Sequence, residues 1–444
     1  MGCVKAVENE EFIRRGNRVA WAFVPYLALC QAVQLAYRVP GARFLTFELI
    51  ALVVLTLVTA PWWLGRRHEL GKATWWLVAS FLAVGVYGIV ASPFHAPAVV
   101  TTAGGGVVPL QYLVVPLLNA GLATLTGLGM ILAAEPRLRL RIVAAAGAAS
   151  LVVAFIGWPF QSQYRRSIRL ATGQGGAAVV HVIFLLLIAV GLAEFLRRGG
   201  NRKLGIGLMF GATVATLATQ SRGAFLTLGA FVVLLALGWV LNGTRSIWRL
   251  WPLALALGLG VALAPLVPGF DRIFSLSDTK RSANLTAALG LWNEDWSTRI
   301  FGVGSGHAWP WPAYESGLYR FPPEGHSGQR PTPYGDLLLT PHSTPLALLV
   351  EHGLVGVLVA AVMGAAVLAL WWRSRASLSR LAVASAVLAS LMAFLFDTYL
   401  LRNFGISLWW WACVALVATW EEPLANANES ATGNPSDAVP PVLG

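Results

Sequence analysis

Residues 204–241 read LGIGLMFGATVATLATQSRGAFLTLGAFVVLLALGWVL. The stretch is apolar almost throughout, yet Arg222 stands in its middle. About 20 residues cross the hydrocarbon of a bilayer as a helix, so the run is too long for one crossing. An arginine left at bilayer depth costs about 2.5–3.5 kcal/mol. Two short helices meeting at a tight turn, Gln220-Ser221-Arg222-Gly223, answer both points by placing the arginine at the turn. Ser221, directly before it, has the side chain to cap the second helix. A cation held at a membrane surface by apolar helices is a site for an anion.

Composition extends this reading to the whole chain. Hydrophobic residues make up 57% and charged residues 12%. That is too apolar for a soluble globule and fits an all-α polytopic membrane protein. The apolar runs are continuous and do not alternate, so strands are not indicated. About twelve transmembrane helices are expected, near residues 19–37, 44–65, 74–92, 109–133, 139–158, 178–196, 204–220, 223–242, 250–268, 344–371, 380–398 and 403–420. Tryptophan pairs at Trp62-Trp63, Trp75-Trp76 and Trp371-Trp372 mark span ends. The chain then divides into an amino-terminal segment (1–18), nine spans (19–268), a long loop domain (269–343), three spans (344–420) and a disordered tail (421–444).

Charge orients the spans. Short loops on one face carry Arg66, Arg67 and Lys72; Arg137, Arg139 and Arg141; Arg197, Arg198, Arg202 and Lys203; Arg245 and Arg249; and Arg373, Arg375 and Arg380. By the excess of basic residues this is the cytoplasmic face, with both termini inside. The net charge of +12 is mostly this orientation signal. It implies no nucleic-acid partner, because no aromatic-basic stripe accompanies it. Cys3, Cys30 and Cys413 offer neither a disulfide pair nor zinc spacing. Met1-Gly2-Cys3 is not a myristoylation signal, since Ala6 fills the place of the required Ser or Thr. The first apolar run lacks a cleavage site, so no cleavable signal peptide is expected.

The outer face carries one long segment, residues 269–343, too long to be a simple connection. It holds an amphipathic stretch, Lys280 to Trp296, in which Leu285, Ala288, Leu289 and Trp292 recur at helical spacing. Gly302-Val303-Gly304-Ser305-Gly306-His307 follows. Trp309, Trp311, Tyr314, Tyr319 and Phe321 then form either a carbohydrate- or lipid-contacting surface or the core of a packed cap. A second outer loop, 159–177, bears Arg165, Arg166 and Arg169 and no acid. Grouped with Arg222 and Ser221, these arginines outline an outward-facing electropositive substrate pocket. Arg402, in a short outer turn, either joins it or pairs with Asp397.

No carboxylate pair or His/Cys/Asp cluster at this face has metal-ligand spacing, so no metal is implied. The glycine-rich stretch lacks the strand–helix context of a dinucleotide site, and no cofactor is expected. His342 stands where the long segment re-enters the membrane, at a helix start. A neutral imidazole can accept a proton from a hydroxyl, and a helix start favours the neutral form. Arginines hold phosphate through a permanently charged fork. Together these residues suit transfer from a diphosphate leaving group to a hydroxyl.

Several motifs occur in order: Ser221-Arg222-Gly223-Ala224; Arg281 opening the amphipathic segment with Trp292; Gly302-x-Gly-x-Gly306; Pro341-His342-Ser343-Thr344-Pro345-Leu346; and Glu351-His352-Gly353-Leu354-Val355-Gly356. Over residues 204–370 the chain resembles the O-antigen ligase/polymerase family of membrane glycosyltransferases. The resemblance implies a GT-C-like bundle in the bacterial inner membrane, with a periplasmic loop between the ninth and tenth spans. It implies an enzyme, an inverting and metal-independent ligase. Such a ligase moves glycan from undecaprenyl diphosphate to a lipid A–core hydroxyl at the periplasmic face. Arg222 and Arg281 would bind the diphosphate and His342 would activate the acceptor. Arg272 and Arg299 lie near enough to compete with Arg281, and Ser343 replaces the family's common Asn. Within the family, a polymerase or a protein O-oligosaccharyltransferase is the alternative. Outside it, twelve spans and pocket arginines also suit a secondary transporter or a flippase. The one-sided placement of charge and the long outer cap favour the enzyme. Glu351, two turns into the tenth span, requires a partner, either an outer arginine or His352.

Overall fold

A computed structural model describes residues 2–33, 38–39, 42–95, 106–160, 169–243, 250–263, 279–309, 311, 330–338 and 340–421. Arg165, Arg166, Arg272, Tyr314, Tyr319, Phe321 and the tail from 422 lie outside the described residues, as does the side chain of Cys3. The helices are α1 (Gly2–Ala32), α2 (Phe47–Arg66), α3 (Gly71–Ala91), α4 (Gln111–Ala133), α5 (Pro136–Gly157), α6 (His181–Leu196) and α7 (Arg202–Ala218). They continue with α8 (Arg222–Leu241), α9 (Trp251–Leu263), α10 (Thr279–Trp292), α11 (Trp296–Phe301), α12 (Thr344–Arg373), α13 (Leu378–Ser390) and α14 (Phe404–Ala418). A helix lies in each stretch expected to span. Among the described residues, six helical stretches are long and apolar enough to cross a membrane, the first of them running through α2 and α3. Two further apolar helices, α6 and α14, are shorter.

Among the described residues strands do occur, against expectation, as two antiparallel hairpins: β1 (Arg38–Val39) with β2 (Ala42–Thr46), and β3 (Arg330–Thr332) with β4 (Gly335–Leu337). The second turns at Pro333-Tyr334, and Gly335 (φ 121°) takes a backbone conformation closed to other residues. Both are local loop structures outside the bundle.

The centre of the bundle is α4, α6 and α14. The α6 and α14 sequences are hydrophobic all round, the pattern of a helix surrounded by protein. Accordingly α6 is buried from His181 to Glu194, and Trp409, Trp410 and Trp411 of α14 are fully buried. Gly191 of α6 and Gly205 of α7 allow the two backbones to touch; a Cβ on Gly191 would lie 2.8 Å from the Gly205 carbonyl oxygen.

The arginine-rich end of the bundle is locked by side chains that the sequence presents only as an orientation signal. Arg139 is buried. It donates to Glu69 Oε2 (2.6 Å), to the Ile131 carbonyl (3.0 Å) and to the Thr419 carbonyl (3.1 Å). Arg66 Nε holds the other Glu69 oxygen at 2.6 Å. Trp371 is likewise buried, with Nε1 on Ser385 Oγ (3.1 Å). It packs the core, and only its neighbour Trp372 is exposed.

Candidate functional site

The opposite end carries the residues singled out from the sequence. Its scaffold is an interlock between the glycine-rich loop and a broken helix. Within α12, Gly353 adopts φ 61°, ψ −150°, and the helix kinks there. The break releases the carbonyls of Val350 and Glu351 from the helical ladder. Val303 N takes the first at 2.9 Å and Gly304 N the second at 3.1 Å. Gly302, Gly304 and Gly306 all have positive φ, so the loop can turn repeatedly while its amides face α12. A Cβ on Gly302 would press on the Glu351 carbonyl, and one on Gly353 would lie 2.6 Å from Gly302 N. The two glycine motifs are halves of one contact. Glu351 is buried in it and accepts a hydrogen bond from Trp309 N (3.4 Å), a partner that sequence reasoning did not consider.

The cap above this interlock has its own core of Ala287, Ala288, Trp309, Leu337, Leu346 and Val350. Trp309 therefore belongs to the cap core. The buried side of α10 is Asn284, Ala287 and Ala288, while Leu285 and Leu289, expected on the apolar face, are exposed. Asn284 is the knot. Its Oδ1 accepts from Trp309 Nε1 (3.2 Å) and from Leu338 N (2.9 Å), and its Nδ2 donates to the Pro341 carbonyl (3.3 Å). Pro341 precedes His342, so α10 positions the histidine, and Arg281 lies one turn earlier on the same helix.

His342 has φ 52°, a left-handed conformation that costs most residues energy but in which histidine is enriched. Its Nε2 is 2.9 Å from Thr340 Oγ1, which fixes the ring. Ser343 caps α12, accepting from Leu346 N at 3.4 Å, as its helix-start position predicts. Thr344 Oγ1 donates to the Asp397 carbonyl (2.8 Å), drawing the turn after α13 against the histidine segment. Asp397 is half-buried and accepts from Thr398 N at 2.7 Å. The Arg402 and Arg281 charges both act on its carboxyl. Arg402 also lies 5.2 Å from the centre of the Trp311 ring. Arg299, the competitor of Arg281, is instead drawn to Asn293 O (3.3 Å) and the exposed Trp296 ring (4.9 Å).

Arg222 opens α8, and Gln220 in the turn before it has φ 49°. Among the described residues, Gln220 and His342 are the two non-glycine residues with positive φ. They flank or form the two motifs chosen from sequence, and unfavourable backbone collects at functional sites. Arg169 Nε donates to the Thr219 carbonyl (2.8 Å) and Leu170 N to the Ala218 carbonyl (2.8 Å), which seats Arg169 beside the same turn. Ser221 does not cap α8 through its side chain. Its hydroxyl instead donates to the Ala178 carbonyl (3.2 Å), in the segment entering α6. α8 packs on α13, with Gly238 against Leu381 near the arginine-rich end. Its start therefore lies toward the 3-10 extension Leu391–Leu395 that leads to Asp397.

The structure thus brings the segments that carry Arg281, His342, Asp397 and Arg402 against one another and seats Arg169 beside the Arg222 turn, both at the same end. Thr340 and Asn284 were missed, since nothing marks an ordinary threonine or asparagine in a loop-rich segment. Two more histidines are buried: His181, which nothing in the sequence marks, and His352, which the sequence offers only as a partner for Glu351. Among the described residues, no hydrogen bond of ordinary geometry reaches either ring nitrogen of His181 or of His352. The His181 ring lies under the Arg222 turn, where a Cβ on Gly223 would be 3.3 Å from its Cε1.

No family model matches the chain, and no curated protein matches it.

Proposed function

We propose that the protein is a membrane glycosyltransferase that ligates a lipid-linked glycan onto a hydroxyl acceptor, with undecaprenyl diphosphate as the leaving group and a lipid A–core sugar as the acceptor. The observation that carries this reading is the seating of His342. A basic imidazole is fixed by Thr340 in left-handed backbone, on the same scaffold as Arg281 and at the same end as Arg222.

In the transfer, the acceptor oxygen attacks the anomeric carbon and forms the new glycosidic bond. The bond from that carbon to the diphosphate oxygen breaks, and its electron pair leaves with the diphosphate. Attack from the opposite side inverts the anomeric centre. The hydroxyl proton passes to His342, a step worth about 10²–10⁴-fold in rate. Guanidinium forks of Arg222 and Arg281 stabilise the charge that grows on the diphosphate. They supply positive charge that a divalent ion supplies in other phosphate-leaving reactions, so the transfer proceeds in EDTA. Thr340 orients the ring, and Asp397 keeps Arg281 and Arg402 directed toward the cluster.

The test uses purified protein, a lipid-linked glycan and the acceptor, with EDTA present. Product formation supports the reading. Abolition by EDTA removes the arginine-for-metal argument, and transport without product supports the transporter alternative. Mass spectrometry of lipopolysaccharide from a deletion strain separates the family alternatives. A ligase leaves long glycan on the lipid carrier and none on the core, whereas loss of a polymerase leaves a single repeat on the core.

A further inference from the structure

At the end of the bundle away from His342, a cavity of about 500 Å³ is lined by Phe195, Arg197, Arg198, Arg202 and Trp251 together with Gly199 and Gly200. That volume falls within the roughly 300–1,000 Å³ of small-molecule sites. Its wall is a built turn. Gly199 has φ 72°, and a Cβ on Gly200 would press on the Glu194 carbonyl. Gly200 N donates to the Arg197 carbonyl (3.0 Å) and Asn201 N to Glu194 Oε1 (2.9 Å). Asn201 Oδ1 then caps α7 by accepting from Leu204 N (3.1 Å). The arginines therefore extend from a fixed backbone.

The charge here is one-sided. Among the described residues no acid lines the cavity, and the buried Glu194 behind it is engaged by the Asn201 amide. Arg198 and Arg202 form no ion pair or hydrogen bond with any described residue. Arg197 is anchored, donating to the Arg137 carbonyl (3.4 Å) and lying 5.9 Å from the Trp420 ring centre. An orientation signal requires only that basic residues lie in the loop, and neither the cavity nor the glycine-built turn follows from it. The apolar wall is equally specific. Phe195 and Trp251 meet edge to face at 6.2 Å and 89°, and Trp251 is 49% exposed on the bundle surface. A phosphodiester with a short apolar neighbour matches this combination of guanidinium forks and aromatic wall.

We infer that this cavity binds the head group of an anionic phospholipid, with Arg198 and Arg202 on the phosphodiester and the Phe195–Trp251 pair against the glycerol and upper acyl chains. This is a structural lipid site, independent of the transfer reaction.

Native mass spectrometry of the full-length protein in detergent, titrated with phosphatidylglycerol or phosphatidylcholine, tests it. The wild type should retain phosphatidylglycerol over phosphatidylcholine. Arg198→Ala/Arg202→Ala should weaken phosphatidylglycerol retention by about 30-fold, from the contribution of each basic residue at an anionic lipid surface, and leave phosphatidylcholine retention unchanged. Thermal unfolding of the wild type alone gives a second reading that needs no variant. Phosphatidylglycerol should raise the midpoint, and inorganic phosphate at the same concentration should not. Equal retention of the two lipids, undiminished phosphatidylglycerol binding in the double variant, or equal stabilisation by inorganic phosphate overturns the assignment.

Discussion

Replacing Gly353 by alanine attacks the contact on which the whole cap rests. At φ 61°, ψ −150° the backbone is in a region essentially confined to glycine, which costs about 1–3 kcal/mol for another residue. The new Cβ would also stand 2.6 Å from Gly302 N and closer still to the Ile300 carbonyl. Forcing a methyl group into such a contact adds about 1–3 kcal/mol. The expected destabilisation of Gly353→Ala is therefore about 2–6 kcal/mol. Gly302→Ala should cost a similar amount, since its φ is 79° and its Cβ meets the Glu351 carbonyl. Because both substitutions break the same interlock, the double variant should fall short of their sum by about 1–3 kcal/mol. Gly364→Ala, in the same helix with open space around it, is the control and should be neutral or slightly stabilising. Equilibrium unfolding of the purified protein in mixed detergent measures all four. A Gly353→Ala variant within about 0.5 kcal/mol of wild type, or an additive double variant, refutes the interlock.

Arg222→Lys keeps the charge and loses the fork. Removing a charge-assisted hydrogen bond worth about 1.5–3 kcal/mol should slow transfer roughly 10- to 150-fold, whereas full activity would mean that a point charge suffices. Arg281→Ala should impair transfer far more than Arg299→Ala, because Arg299 is drawn toward Asn293 and Trp296 and away from the cluster; the reverse order assigns the clamp to the wrong arginine. Asp295 caps α11, and the Thr298 amide holds its carboxyl below the usual value. A carboxyl lowered in the folded state stabilises above its unfolded value, near 3.9, and the effect is lost as pH falls through the folded value. Hydrogen exchange at Thr298 should therefore be slow at neutral pH and accelerate, relative to an uncapped amide, only below about pH 4. Protection that already fails near pH 6 contradicts the cap.

Some of this was legible in the sequence for definite reasons. Arg222 was conspicuous because a charge inside an apolar run requires an explanation, and the turn that supplies one is present at Gln220-Ser221. The amphipathic spacing from Lys280 placed α10. The position of His342 before a long apolar run placed it at a helix start. The break in α12 was not legible, because a glycine inside an apolar helix is commonly tolerated and its partner, Gly302, is remote in the chain. In the sequence Arg139 is one more orienting charge, and only the folded contacts with Glu69 and Thr419 show it bridging helices. Ser221 has the right position for a cap, but its hydroxyl is on the Ala178 carbonyl, a contact remote in the chain. Thr340 and Asn284 have meaning only once the cap has closed, which no local pattern reports.

The rate of glycan transfer by purified His342→Asn, compared with wild type on the same lipid-linked donor, tests the central claim most directly. Asparagine accommodates left-handed backbone and can still hydrogen-bond to Thr340, so the fold and the scaffold around Asn284 should remain. It cannot accept a proton as imidazole does. The account predicts a folded variant with donor binding intact and transfer reduced by about 10²–10⁴-fold. Transfer at the wild-type rate by that variant would contradict it.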